Sequence, residues 1–218
     1  MYYFKKTLYL YVLIGYSLAN AGSYDDFFAA IKTDNAATIS GLLARGFDPN
    51  TLGPNGQLGL ILALKEPSLK AAQALVSSPK IDLNQLNASG ESPLMLAALK
   101  GELDLAEKMV KKGADVNKTG WTPLHYAASN GHVAVIKLLI ENYAYIDAES
   151  PNGSTPLMMA GMYGNPESVQ LLLDEGADPL VRNQQGLTAL EFAKKAERAE
   201  STALLEKVTR KKRATGAW

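Results

Sequence analysis

Downstream of about residue 24 the apolar residues fall into short clusters with helical spacing, separated by polar stretches that carry glycine. Val135, Ile136, Leu138, Leu139 and Ile140 form one cluster, and Val169, Leu171, Leu172 and Leu173 another. Such spacing marks the buried stripe of a helix. The clusters recur in phase. Gly56, Gly90, Gly120, Gly153 and Gly186 open successive segments at spacings of 34, 30, 33 and 33 residues, and a period of this size marks a repeat architecture. Three of these glycines are followed by Ser92-Pro93-Leu94-Met95, Thr122-Pro123-Leu124-His125 and Thr155-Pro156-Leu157-Met158. Serine or threonine caps a helix start, and proline suits the first helical position, where its missing N–H is not needed. A second glycine, with aspartate two residues on, closes a leucine-rich stretch at Gly46-Phe47-Asp48, Gly113-Ala114-Asp115 and Gly176-Ala177-Asp178. Glycine there adopts the left-handed backbone that ends a helix.

This pattern resembles the ankyrin repeat, with its period of 33 and its T-P-L-H-x-A marker, best matched by Thr122-Pro123-Leu124-His125-Tyr126-Ala127. The resemblance covers roughly residues 24–208. It implies an all-α solenoid of helix-turn-helix units with short hairpin fingers, in which no unit buries its own apolar face and stacking makes the core. The expected units are an N-terminal cap at 22–55, repeats at 56–89, 90–119, 120–152 and 153–185, and a C-terminal cap at 186–208, followed by a basic tail at 209–218 that frays.

Departures from the pattern carry their own expectations. The second unit has Leu58-Gly59 in place of Thr-Pro, and Pro79 should make its second helix end early or bulge. Gly113 to Gly120 is 7 residues where Gly46 to Gly56 and Gly176 to Gly186 are 10, so the third finger lacks three residues. Tyr143 replaces a helix-closing glycine and Tyr145 the aspartate after it.

Ahead of the repeats, Lys5 and Lys6 precede an uncharged apolar stretch from Thr7 to Leu18, and Ala19-Asn20-Ala21 follows. This is the form of a secretory signal peptide cleaved after Ala21, too short for a comfortable membrane span. An uncleaved anchor is the alternative. Cleavage leaves 20 basic and 22 acidic residues, and the short n-region looks bacterial, which places the product in the periplasm or outside the cell.

The whole chain has 218 residues, 22 Lys+Arg, 22 Asp+Glu, two histidines and no cysteine. Balanced charge disfavours a protein devoted to nucleic acid. The absence of cysteine excludes disulfides and thiolate chemistry. No metal constellation, phosphate-binding loop, nucleophile triad or cofactor motif is legible. The resemblance implies that His125 ties neighbouring hairpins together rather than acting as a base, and His132 reads as an exposed turn residue. The basic cluster Lys207, Arg210, Lys211, Lys212 and Arg213 reads as a cap on the C-terminal end of the last helix, or as a contact for anionic lipid, envelope polymer or nucleic acid.

What remains is the concave surface, where the resemblance implies that partners bind. By repeat position its exposed set includes Glu91, Leu99, Lys100, Trp121, Ser129, Asn130, Ser154, Met162 and Tyr163. Two readings of Trp121 stand side by side: it lines, with Tyr163, a notch left by the short finger, or it folds back and packs. The expected function is a non-enzymatic, monomeric, exported adaptor for another protein. Exported bacterial proteins of similar design serve as immunity proteins or support periplasmic enzymes, including in peroxide defence. An envelope-tethered structural protein and a secreted effector acting in a host are the alternatives.

Overall fold

The computed structural model describes residues 22–215, so the expected signal segment at 1–21 lies outside the described residues. The chain divides into two units, the first ending at Asp82 and the second beginning at Leu83. Among the described residues, regular structure is helical apart from an isolated antiparallel bridge between Leu52 and Leu58.

The first unit contains α1 (residues 22–32), α2 (Ala36–Ala44), α3 (Gly59–Lys65) and α4 (Leu69–Ser77). Its core is built from Phe27, Ile31, Ile39, Leu42, Leu60, Ile61, Leu64 and Leu75, all essentially inaccessible. Gly59 has a steric reason to stand where the repeat expects proline. A Cβ there would lie 2.7 Å from the Phe27 ring, so only glycine lets α3 seat against α1. Helix α4 is not shortened by Pro79: it has nine residues, like α2. It closes instead on an extended Ser78 (φ −61, ψ 133), the conformation expected just before proline.

The second unit contains four hairpins: α5 (Pro93–Lys100) with α6 (Leu103–Lys111), α7 (Pro123–Ser129) with α8 (Val133–Glu141), α9 (Pro156–Tyr163) with α10 (Pro166–Asp174), and α11 (Ala189–Lys195) with α12 (Ala199–Thr215). The first helices pack side by side in chain order, and so do the second helices. Small buried residues (Ala97, Ala98, Ala127, Ala128, Ala160, Ala193) let the first helices approach closely. Three of the four first helices start on a reciprocal cap. Ser92, Thr122 and Thr155 accept from the N–H of Met95, His125 and Met158, whose side chains accept in return from the capping N–H.

The five segment-opening glycines occupy equivalent backbone. Gly56, Gly90, Gly120, Gly153 and Gly186 have φ of 68, 74, 82, 75 and 73°. Tyr143 takes the left-handed conformation of the glycine it replaces, with φ 65°.

Two rows of hydrogen bonds tie consecutive hairpins, and neither was expected from the sequence. In the finger row, Asn50 bonds Lys80 O and the Asp82 N–H within the first unit. In the second unit Asn84 bonds Gly113 O and the Asp115 N–H, and Asn117 bonds Tyr143 O and the Tyr145 N–H. Asp147 takes the next rung and can only accept, from the Asp178 N–H. In the turn row, His132 is half-buried rather than exposed. Its Nε2 lies 3.0 Å from Leu99 O, and its ring sits where a Cβ on Gly101 would be, 2.5 Å away. Asn165 does the same over Gly131, donating to its carbonyl at 3.0 Å.

The tail also differs from expectation. Helix α12 continues to Thr215, Thr209 is buried, and Lys212 pairs with Asp178 at 2.8 Å. Residues 209–215 thus continue the last helix rather than leaving it, and 216–218 lie outside the described residues.

Candidate functional site

The second unit carries a small concavity of about 190 Å³ lined by Leu99, Trp121, His125, Tyr126, Ser129 and Met159. Its origin is the way α7 is split between burial and exposure. Pro123, Leu124, Ala127 and Ala128 face the neighbouring helices and are buried, which leaves Tyr126 and Ser129, one turn apart, on the open side. Leu99 comes from the end of α5 and Met159 from α9, so three successive hairpins contribute walls.

The floor is rigid. His125 is 1% exposed, and its ring meets Trp121 edge to face at 5.2 Å. Nδ1 accepts from the Thr122 N–H at 3.2 Å, so the proton sits on Nε2, which donates to Ser154 O at 2.9 Å. Burial drives the His125 pKa down to about 4, leaving a neutral ring with both nitrogens engaged. At the rim, Tyr126 donates to Glu91 at 3.1 Å, and Asn87 holds the other carboxylate oxygen at 2.7 Å. Burial, and secondarily the Glu91 charge, push the Tyr126 pKa up to about 12, so its hydroxyl stays a donor at any physiological pH.

The expected site residues are therefore dispersed. Leu99, Trp121 and Ser129 meet in the concavity, and Glu91 stands at its edge. Asn130 is turned to a structural task, donating to Leu99 O at 2.7 Å, and Lys100 is exposed at the end of α5. Ser154 is fully buried beneath the next finger. Met162 and the exposed Tyr163 lie at the end of α9, outside the lining of the concavity that Trp121 walls. The short finger opens a separate polar cleft of about 460 Å³, lined by Asn117, Lys118, Thr119, Gly120, Tyr145, Ala148 and Glu149. Trp121 is half-buried against His125, partly packed and partly presented. Tyr126 and Met159 escaped notice because they stand one residue beyond marker positions that read as core. The first unit has its own concavity of about 400 Å³ beside α1, with Tyr24, Phe28, Lys32 and Leu62 among its walls.

Among the described residues no group of three or more His, Asp or Glu side chains could hold a metal, and no helix is long and apolar enough to cross a membrane.

Helical hairpins with left-handed glycines at one phase, reciprocal caps at another and fingers joined by side-chain rungs define a repeat protein. Family models of ankyrin repeats, in sets of three copies, match residues 27–119, 60–150, 115–183 and 145–212, and the chain belongs to the ankyrin repeat family. It is similar to Ankyrin repeat and SAM domain-containing protein 6 of Mus musculus, 44% identical over 78 residues, which is 35% of this chain and 9% of that protein. It is 33% identical over 96 residues to Protein phosphatase 1 regulatory subunit 27 of Mus musculus, 43% of this chain and 62% of that protein. It is 28% identical over 178 residues to Putative ankyrin repeat protein YahD of Escherichia coli (strain K12), 78% of this chain and 88% of that protein. The chain spans only 9%, 12% and 17% of the length of three of the larger relatives it matches. Proteins of this family typically act as non-enzymatic modules for protein–protein interaction.

Proposed function

We propose that the chain is an exported, non-enzymatic adaptor that grips a partner protein through the concave side of its second unit. The observation that carries this reading is the apolar concavity built by Leu99, Trp121, Tyr126 and Met159 from three hairpins. Tryptophan and tyrosine in a preformed pocket are residue types that dominate interface energy. The engagement of both His125 nitrogens in structural bonds supports a role without acid–base chemistry. Lys5, Lys6, the apolar stretch to Leu18 and Ala19-Asn20-Ala21 support export to the periplasm or beyond, with Gly22 as the mature N-terminus. Support of an envelope enzyme or immunity against a toxin are the roles such an adaptor would serve.

Site-specific photo-crosslinking in the native cell tests the reading. A photoreactive residue at Ser129 should give a discrete adduct that one at the exposed Lys111 does not. Equal labelling from both positions, or from neither, contradicts it. Mass analysis of the mature protein should begin at Gly22; a chain retaining residues 1–21 would instead favour a tethered protein.

A further inference from the structure

The short third finger is sealed in a way that leaves one cation beside the pocket. Where two full fingers stand together, the Gln184 N–H donates to Asn152 O at 3.1 Å, and the Gln184 side chain to Pro151 O at 2.9 Å. One repeat earlier the position of Gln184 is held by Pro151, which has no N–H to satisfy, and the position of Asn152 by Thr119. The Thr119 carbonyl is taken instead by the Lys118 ammonium at 3.2 Å, which also reaches Trp121 O at 3.2 Å. The missing contact between these two fingers therefore leaves no strand edge waiting to be paired. In its place stands a positive charge fixed on the backbone of the residue whose ring lines the apolar concavity.

An ammonium has three donors. Two of those on Lys118 go to neutral carbonyls rather than to a carboxylate, which leaves a third. Charge-assisted bonds to a carboxylate are the stronger use of such a group. The concavity itself, at about 190 Å³, is smaller than the roughly 300–1,000 Å³ of small-molecule sites and suits one side chain. Its lining is apolar, and the Tyr126 hydroxyl and Glu91 at its rim are already bonded to each other. Glu149 lines the same cleft as Lys118, so an incoming carboxylate competes with it and the one donor left on Lys118 can take only one.

We propose that this site recognises an extended segment of a partner protein that seats one aliphatic side chain among Leu99, Trp121, Tyr126 and Met159 and sets a single neighbouring carboxylate on Lys118. The proposal rests on the concave-face reading and specifies its ligand.

The test is selection of a phage-displayed library of random short peptides on the full chain. Recovered peptides should carry Leu, Ile, Val or Met beside one Asp or Glu. Their affinity should fall about tenfold or more on Ser129→Trp, which plugs the concavity, and by a similar factor on Lys118→Gln, which keeps a donor and loses the charge. Lys118→Glu should weaken them further and favour synthetic versions with the acid replaced by lysine. Thermal melts matching the parent protein show that each variant is folded. Peptides lost on Ser129→Trp but indifferent to Lys118→Gln and Lys118→Glu overturn the carboxylate site while leaving the concave-face reading standing. Selection that yields no peptide dependent on Ser129 overturns both.

Discussion

The imidazole of His125 and the carbonyl of Ser154, 29 residues apart in sequence, are joined by a buried hydrogen bond of 2.9 Å between consecutive hairpins. The bond is made by a neutral ring, because burial holds the His125 pKa at about 4. An unfolded histidine titrates near 6.5. Between these values the unfolded chain binds more protons than the folded one, so stability is full above pH 6.5 and falls as pH drops towards 4. The loss amounts to about 3 kcal/mol at pH 4. Met95 and Met158 fill the same capping position in neighbouring hairpins, so His125→Met should keep the cap and lose the bond to Ser154. Urea denaturation at pH 4 and pH 7 should show a smaller pH dependence in the variant than in the parent.

Tyr143 is 85% exposed and held at φ 65°. A non-glycine residue there costs about 1 kcal/mol, and the exposed ring recovers little of that by packing. Tyr143→Gly should raise the melting temperature by about 2–4 °C. A fall, measured by calorimetry, would mean that the ring contributes more than its exposure suggests.

Asp147 stands where Asn50, Asn84 and Asn117 donate as well as accept. Burial, and to a lesser degree the Asp178 carboxylate, raise its pKa, opposed by the hydrogen bond from the Asp178 N–H and by the Lys212 charge. A raised carboxylate pKa means that ionisation destabilises the fold at neutral pH and that the penalty fades in acid. Asp147→Asn should therefore stabilise the protein by about 1 kcal/mol at pH 7, with the gain shrinking towards pH 4. Chemical denaturation across that range measures both points.

Two glycines with similar backbone separate conformational strain from crowding. Gly101 and Gly113 have φ of 72 and 88°. A Cβ at Gly113 meets nothing within 4 Å, whereas one at Gly101 strikes the His132 ring at 2.5 Å. Gly113→Ala should cost about 1 kcal/mol. Gly101→Ala should cost about 1 kcal/mol more, because His132 must give up its bond to Leu99 O. Equal losses in denaturation would remove His132 from the set of inter-repeat ties.

The repeat was legible because it is enforced by backbone needs that few residues meet: left-handed glycines at Gly90, Gly120, Gly153 and Gly186, and Thr-Pro or Ser-Pro at helix starts. Even Tyr143 could be assigned its strained conformation by phase alone. The finger rungs were missed although Asn50, Asn84, Asn117 and Asp147 recur at 34, 33 and 30 residues, because a polar residue in a loop looks dispensable until its partner one repeat on is known. The concavity was half legible. Leu99, Trp121 and Ser129 follow from repeat position, whereas Met159 is a largely buried core residue that contributes one wall, which its position one residue past the marker does not announce. Tyr163 lies at the end of α9, one turn past Met159, so being exposed near the concave face did not place it in the lining. Residues 209–215 continue α12 and carry a long-range pair, Lys212 with Asp178, which no local pattern announces.

The adaptor reading is tested most directly by titration calorimetry of the partner captured at Ser129 against the parent chain, Ser129→Trp and Tyr163→Ala. Plugging the concavity should weaken binding by at least about tenfold, or 1.4 kcal/mol, while Tyr163→Ala leaves it within about twofold. Unchanged affinity for Ser129→Trp, in a variant that melts like the parent, would contradict a partner site on this face.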